Sequence, residues 1–408
     1  MKSFTLTFLL LALFHFPVFG QAVDYFVKYR GELPVKVFYG VKPRPVSLLG
    51  VDPSKGIIYA KMEGAGSVEF QLRGLKQQNI NRFEYEWPNT PRQALQYLSN
   101  EQYSPRVLEA LRPIVYKLLL FLDIPYEFMQ IHDSCLIYTK ALVEMNELAE
   151  AFYILSRLNL AKLDEQGFRE FSELALELAG KMISSNPKSA QSARALLQKV
   201  TIRNDSADHA AYLRLADSLR RQGLYSEAIS EYTRLGPIVQ KSLNSPYRDI
   251  LKLWPIYCYI KLYESYSKAA AQDKRYAQAA SRMFNTALQT IKEIDEKPPK
   301  RQSNEFSLYK LIRALIRVQY ARQFEAAGNS AKSADFYRQS VLEVTEGIVT
   351  ARVGLDWLPE SLIMAADAYE NLEMNEAATN VYKQVIVFFK DSKWAQLSQQ
   401  KLGALPPS

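Results

Sequence analysis

The residues with the clearest catalytic potential are His132 and Cys135, which lie in the sequence His-Asp-Ser-Cys. A histidine beside a cysteine can generate a nucleophilic thiolate. Consecutive residues of a helix point in different directions, however, so these four side chains cannot form a triad with one another. His209 is the only other histidine apart from His15, and one Cys–His pair has too few ligands for zinc. We therefore interpret the motif as a capped or half-buried helix end.

Two further patterns have the spacing of chemical sites but favour structural roles. Glu144, Glu147 and Glu150 recur every three residues, which is typical of a solvated helix stripe more than of an acid–base pair. The tyrosines between 257 and 266 recur at helix-packing spacing, so we expect packing more than carbohydrate stacking. The chain has no Gly-rich phosphate loop, no Gly-x-Ser-x-Gly elbow and no His-Glu-x-x-His motif. We expect a protein that is not an enzyme and uses no cofactor or metal.

Composition indicates a folded, exported protein. The chain has 408 residues, of which 48% are hydrophobic and 23% charged, an ordinary globular composition. Lys2 precedes the apolar stretch Leu6 to Phe16, and small residues surround a cut before Gln21, so residues 1–20 are predicted to be a signal peptide. No later stretch predicts a membrane span. The expected location is therefore the periplasm or cell envelope, where nucleic acid is a poor candidate partner.

The net charge and the cysteine content exclude few classes of binding partner. The formal net charge of +8 is spread along the chain, which is typical of solvated helix surfaces. The alternative is a weak attraction to an anionic envelope surface. Export permits a disulfide between Cys135 and Cys258, but both lie in apolar, helical stretches and are expected to be small buried hydrophobic residues.

Residues 21–88 have the period of two that is typical of β-strands. Val68 and Phe70 alternate with polar residues, and so do Phe83, Tyr85 and Trp87. Turn signals at 42–45, 52–56 and 63–66 separate the strands. The pattern predicts four or five strands in a small antiparallel sheet or barrel, which resembles SH3-like or Sm-like barrels.

Residues 89–403 are predicted to be helical, with residues 404–408 as a disordered tail. A triplet with i, i+4, i+7 spacing marks one face of a helix and begins with a small residue. This triplet occurs five times, and the first residues of successive triplets lie about 52 residues apart, except that the last interval is shorter. Such a repeat indicates stacked helical hairpins. The triplets are Ala175/Ala179/Met182, Ala228/Tyr232/Leu235, Ala280/Phe284/Ala287, Ser333/Tyr337/Ser340 and Ala378/Tyr382/Val385.

One hairpin of this region resembles a tetratricopeptide repeat (TPR). Its pattern is Leu215-Ala216-x-x-Leu219-x-x-x-Gly223-x-Tyr225-x-x-Ala228-x-x-x-Tyr232. The hairpins ending in Tyr337 and Tyr382 resemble it too, although Glu373 replaces the turn glycine in the last one. That last unit is similar to repeats of Tol-Pal-associated and outer-membrane-assembly proteins of the bacterial envelope. The period is longer than that of a TPR, so longer helices or loops are expected.

The resemblance implies an α-solenoid that binds a protein or peptide through polar residues on the first helix of each hairpin. Our hypothesis is a non-catalytic envelope scaffold. The alternatives are a carbohydrate- or cell-wall-associated enzyme that gathers Trp357, Tyr259 and Tyr263 in one cleft, and a self-assembling structural protein. The residues expected to contact the partner are Asp217, Arg220, Arg221, Arg322, Glu325, Asp367, Glu370 and Asn371.

Overall fold

The computed structural model describes residues 17–203, 206–242, 245–351, 355–390 and 392–405. These residues form seventeen α-helices and one five-stranded sheet, so the chain is mainly helical with a small antiparallel sheet near its N-terminus. It divides into two compact units, Met1–Arg203 and Asn204–Ser408. The boundary falls inside the region predicted as one helical array.

The sheet of the first unit is an antiparallel meander of four strands, and its fifth strand pairs with the first. The strand order is β4-β3-β2-β1-β5, and a short 3-10 turn, Leu72–Gly74, precedes β5. Apolar side chains alternate along the strands, and the inward set is buried, as period-two patterning requires. The strands are β1 (Leu33–Tyr39), β2 (Lys42–Asp52), β3 (Ile57–Met62), β4 (Gly66–Gln71) and β5 (Ile80–Glu84).

Two predictions about this region are wrong. The sheet does not begin near residue 21, because helix α1 (Pro17–Tyr29) occupies that stretch. Its aromatic rings pack on other helices, with Tyr25 6.1 Å from Tyr116 and Phe26 6.2 Å from Tyr153 between ring centroids. Residues 42–45 are the start of β2 and not a turn, since the chain reverses one step earlier, at Gly40. Residues 1–16, most of the predicted signal peptide, lie outside the described residues.

The remaining helices of the first unit follow the sheet in the chain, and the two that begin at Pro105 and Leu148 pack on α1. Ser104 caps one of them by accepting a hydrogen bond from the backbone N–H of Val107, and the preceding helix begins at Asn89. These helices are α2 (Asn89–Ser99), α3 (Pro105–Leu118), α4 (His132–Glu144), α5 (Leu148–Arg157), α6 (Leu160–Glu165), α7 (Glu170–Ser185) and α8 (Ala190–Leu197).

The second unit consists of four helical hairpins and a final helix. In each hairpin the first helix packs on the second, and three of the second helices also pack on a following helix. The helices are α9 (Ser206–Arg221), α10 (Tyr225–Lys241), α11 (Ile250–Ala270), α12 (Arg275–Asp295), α13 (Asn304–Ala326), α14 (Ser330–Thr350), α15 (Leu358–Asn371), α16 (Asn375–Phe388) and α17 (Lys393–Ala404).

The repeated triplets lie where the sequence predicts. All fifteen of their residues are buried, so each triplet faces the interior of its unit. The turns of two hairpins use Gly223 and Gly328 at positive φ. Glu373 takes the same left-handed conformation, with φ of 60°, at the equivalent turn. A residue with a side chain tolerates that conformation less well than glycine.

A glycine that the sequence analysis did not single out allows α13 and α14 to approach closely. A Cβ added at Gly347 would lie 2.9 Å from Cβ of Lys310 and 3.2 Å from the carbonyl oxygen of Ser307. Neither atom is the flexible end of a side chain. The small residue is therefore required by the packing of the two helices.

We predict that Gly347→Ala destabilises the second unit by about 1–3 kcal/mol, because the added methyl forces the helices apart. Gly236→Ala is the matched control, since that helical position has open space around the added atom. The control should be neutral or stabilising by about 1 kcal/mol. Urea unfolding of both variants measures the difference. Equal stability of the two would show that the close approach is not a constraint.

Candidate partner-binding site

The residues predicted to bind a partner all lie on the first helices of hairpins in the second unit. Arg220 is buried, Asp217 is 20% exposed, and the other six side chains are at least one third exposed. Each one has a partner within the same unit. The eight residues therefore lie on first helices, as predicted, and their contacts within the unit help to hold the hairpins together.

A tyrosine–carboxylate hydrogen bond repeats in three hairpins. Tyr232 donates to Asp217 at 2.6 Å, and Tyr382 donates to Asp367 at 2.5 Å and to Glu370 at 3.0 Å. Tyr337 donates to Glu325 at 3.4 Å in the same way. Each tyrosine is the middle residue of a repeated triplet, and its acceptors stand 12 or 15 positions earlier. That spacing is a sequence signal which the analysis of the triplets missed.

The remaining predicted residues also have partners nearby. The guanidinium of Arg220 lies 3.5 Å from the ring centroid of Trp254, and its Nε donates to the hydroxyl of Tyr232 at 3.2 Å. Arg221 pairs with Asp356, Arg322 pairs with Glu264 at 3.5 Å, and Asn371 donates to the carbonyl oxygen of Asp367 at 2.6 Å.

Contacts between first helices of different hairpins form a charged cluster. Lys261 on α11 lies 2.9 Å from Glu360 on α15 and 3.4 Å from Glu264 on its own helix. Tyr257 donates to both oxygens of Glu360, at 2.8 and 3.0 Å, and Gln319 on α13 donates to Glu264 at 2.8 Å. We call these five residues the first-helix cluster. It joins the second and fourth hairpins directly, whereas in an extended solenoid each repeat contacts only its neighbours.

The electrostatics of the first-helix cluster favour fixed charge over proton transfer. Burial alone would lower the pKa of Lys261, but the carboxylates of Glu360 and Glu264 outweigh it and raise the pKa above its ordinary value. Lys261 therefore stays protonated and is unsuited to act as a base or to form a Schiff base. Burial and the adjacent Glu360 likewise raise the pKa of Tyr257. The arrangement is suited to binding and positioning.

The His-Asp-Ser-Cys motif is packed in the interior of the first unit. Nε2 of His132 lies 3.1 Å from the carbonyl oxygen of Leu122, and the ring stacks on Phe168. Burial lowers the pKa of His132 and raises that of the Cys135 thiol, so burial disfavours the thiolate that nucleophilic catalysis by cysteine needs. Cys258 is also a buried free thiol, and burial raises its pKa to about 12.

Glu150 differs from the predicted solvated stripe. Glu144 and Glu147 are exposed, but Glu150 is buried and accepts two hydrogen bonds from Arg112, both at 3.0 Å. The hydroxyl of Tyr138 donates to the same carboxylate at 2.8 Å. Every charged group here has a partner, so we assign the residue a structural role.

The aromatic residues that a carbohydrate-processing site would need do not share an open cleft. Trp357 is buried, its ring centroid lies 5.5 Å from that of Trp254, and its Nε1 donates to Ser307 at 3.1 Å. Tyr263 stacks on Phe284 at 4.7 Å. These contacts agree with the packing interpretation of this aromatic set.

Neither a metal-ligand cluster nor a membrane-spanning helix is found in the described part of the chain. No group of three or more His, Cys, Asp or Glu residues there could hold a metal ion, and none of the helices described has the length and apolar character to cross a bilayer. Compared with known proteins, the chain matches no family model and none of the curated proteins.

The buried tyrosines predict a loss of stability at high pH. Burial raises the pKa of Tyr309 to about 12, and burial raises those of Tyr232, Tyr257 and Tyr382 as well. In the unfolded chain tyrosine ionises near 10. Above that pH the folded state holds more protons than the unfolded state, so stability falls as pH rises. Urea unfolding should give a nearly constant free energy between about pH 8 and pH 9.5 and a steady decrease above pH 10.

Absorbance at 295 nm provides the matching readout of tyrosine ionisation. We expect part of the 25 tyrosines to ionise only together with unfolding, as followed by circular dichroism. Ionisation of all of them in one step near pH 10, with the fold intact, would contradict the prediction.

Proposed function

We propose that this protein is a non-catalytic, exported scaffold that binds a partner protein through the first helices of TPR-like hairpins. The observation that carries the proposal is the burial of all five repeated triplets. Hairpins that bury these triplets leave some polar positions of their first helices exposed, among them Arg221, Arg322 and Glu325, and exposed faces of helical repeats are used for protein binding. The absence of a charge pattern suited to proton transfer in the first-helix cluster is consistent with this role.

The chemistry of the surface suits an extended protein segment with charges of both signs. Arg322 is 54% exposed, and its one ion pair among the residues that the structure describes, to Glu264, is long at 3.5 Å. Glu264 keeps Lys261 and Gln319 as partners, so a ligand carboxylate can replace it on the exposed guanidinium at small cost. Glu325 and Asn371 are also exposed. Together they provide a guanidinium, a carboxylate and an amide for charge-assisted hydrogen bonds.

The sheet supplies a second contact surface in this proposal. Its strand order, with a 3-10 turn before the last strand, supports the resemblance to SH3-like and Sm-like barrels. Such small barrels are common interaction modules, so we assign the sheet a role in partner contact or in capping. The periplasm or cell envelope is the proposed location, on the basis of the predicted signal peptide.

A charge-reversal experiment tests the proposal. The full chain and its Arg322→Glu variant are used to capture partners from an envelope extract, and the captured protein is then titrated against both. We expect Arg322→Glu to bind the partner about tenfold more weakly. This corresponds to a loss of about 1.4 kcal/mol of binding free energy. The control is Lys383→Glu, an equal charge change on the exposed face of a second helix.

Equal loss of binding in both variants would indicate a general charge effect and contradict the proposed surface. Unchanged binding in Arg322→Glu would do so as well. Circular dichroism of each variant confirms that the fold is retained.

A further inference from the structure

The hairpin between β1 and β2 ends in an exposed apolar residue. Tyr39 pairs with Lys42 across a two-residue turn, in which Gly40 has a φ of +62°. The side chain of Asn81 donates to the carbonyl oxygen of Gly40 at 3.0 Å and holds the turn against the start of β5. Val41, at the tip, is 90% exposed, more than any other large apolar residue described. A fixed turn thus presents an aliphatic side chain to solvent.

Positive charge surrounds this tip. No Asp or Glu occurs from residue 33 to residue 51. Lys42 and Arg44 are exposed, and neither has an ion pair among the described residues. Arg82 lies next to the hairpin and forms an ion pair with Glu84 at 3.1 Å. The two unpaired cations therefore determine the charge of the tip.

Aromatic rings support the basic side chains. The guanidinium of Arg44 lies 5.5 Å from the ring centroid of Tyr39, and that of Arg82 lies 4.2 Å from the ring centroid of Phe38. Tyr39 and Phe38 are partly exposed. Basic residues with aromatic rings beneath an exposed aliphatic residue are the side-chain types that favour a membrane–water interface.

The same hairpin is poorly suited to recruiting another strand. β3 pairs with β2 only from Val46 onward, so the first four residues of β2 extend past it. Two of these are Pro43 and Pro45, which have no N–H to donate. Prolines and basic residues at a free edge prevent strand addition. The features of the tip therefore favour contact through side chains.

We propose that the tip formed by residues 39–44 binds the surface of an anionic phospholipid bilayer. Val41 enters the headgroup region, Lys42 and Arg44 contact lipid phosphates, and the Tyr39 ring lies at the same depth. This contact is independent of the partner-binding surface of the second unit. It would concentrate the scaffold at a membrane without a spanning helix, and its strength depends on salt, since surface charges are screened.

Vesicle sedimentation tests the proposal. The full chain is mixed with vesicles of pure phosphatidylcholine or with vesicles containing one third phosphatidylglycerol. Residues 6–16 are common to all variants, so comparing variants isolates the contribution of the hairpin. We expect Lys42→Ala/Arg44→Ala to lower partitioning to the anionic vesicles about 30-fold, since each basic residue near the surface contributes about fivefold. Val41→Asp should also lower it.

The matched control is Lys383→Ala/Lys390→Ala, which removes the same net charge from exposed positions of the second unit. It should bind like the unchanged chain. Equal loss in this control, or equal binding of the unchanged chain to both vesicle types, would overturn the proposal. Binding to a soluble polyanion such as heparin with the same affinity as to vesicles, and unaffected by Val41→Asp, would also overturn it, because it would show a site for polyanions and not for a bilayer.

Discussion

Replacing Arg112 with methionine is expected to lower the free energy of unfolding of the first unit by about 3–5 kcal/mol. The side chains of Arg112 and Glu150 are 13% and 7% exposed and are joined by two hydrogen bonds. Methionine fills most of the volume but leaves the carboxylate without its counter-ion. An uncompensated buried charge is among the most costly single changes in a protein interior.

The effect should be local to the first unit, and hydrogen exchange of peptides from each unit can measure it. The double variant Arg112→Met/Glu150→Met should recover much of the loss, because it removes both charges. Lys36→Ala is the comparison at an exposed pair with Glu86 and should change stability by less than about 1 kcal/mol. A small effect of Arg112→Met, similar to that of Lys36→Ala, would show that Glu150 has access to solvent.

The second large effect is expected from Trp254→Ala, which should destabilise the second unit by about 3–5 kcal/mol. Trp254 is 1% exposed and lies between the guanidinium of Arg220 and the ring of Trp357. Truncation leaves a cavity and removes the aromatic face on which Arg220 rests. It also weakens the link between the first, second and fourth hairpins.

Trp394→Ala serves as the control, because Trp394 on the final helix is only partly buried. We expect its loss to cost less than half as much in urea unfolding. Trp254→Phe should fall between the two, since it keeps an aromatic ring of smaller area. If Trp254→Ala proved no worse than Trp394→Ala, the packing of first helices around Trp254 would not be a main source of stability.

The repeated elements of the fold could be predicted from the sequence because local patterns determine them. A triplet such as Ala378/Tyr382/Val385 places three side chains on one helix face whatever surrounds it, and all three are buried. The alternation of Val68 and Phe70 with polar residues likewise predicts a half-buried strand, and β4 occupies this stretch with Phe70 buried. The turn residue Glu373 was identified as the equivalent of glycine and has the positive φ that a turn requires.

Other features depend on contacts between distant residues and left little local signal. The sequence predicts that the β region begins near residue 21, whereas helix α1 occupies that stretch and its Tyr25 packs on Tyr116, about 90 residues later in the chain. The contact of Trp254 with Trp357 depends on how the second and fourth hairpins are arranged in space. The period of the sequence repeat does not predict that arrangement.

For the predicted partner-binding residues, the sequence pattern predicts the helix but not the contacts of each side chain. All eight lie on first helices, but the sequence pattern does not predict that Asp217 and Asp367 accept hydrogen bonds from the tyrosines of their own hairpins. Polar residues at such positions can face a ligand or a neighbouring helix. Of the eight, Arg322 is the best candidate for a ligand contact, because it is exposed and weakly paired.

Site-specific photo-crosslinking in intact cells tests the central claim most directly. A photoreactive phenylalanine analogue is placed at Arg322 on a first helix and, separately, at Lys383 on the exposed face of a second helix. The scaffold proposal predicts a discrete crosslinked partner from position 322 and none from position 383. Crosslinks from position 383 alone, or no protein adduct at either position, would contradict it.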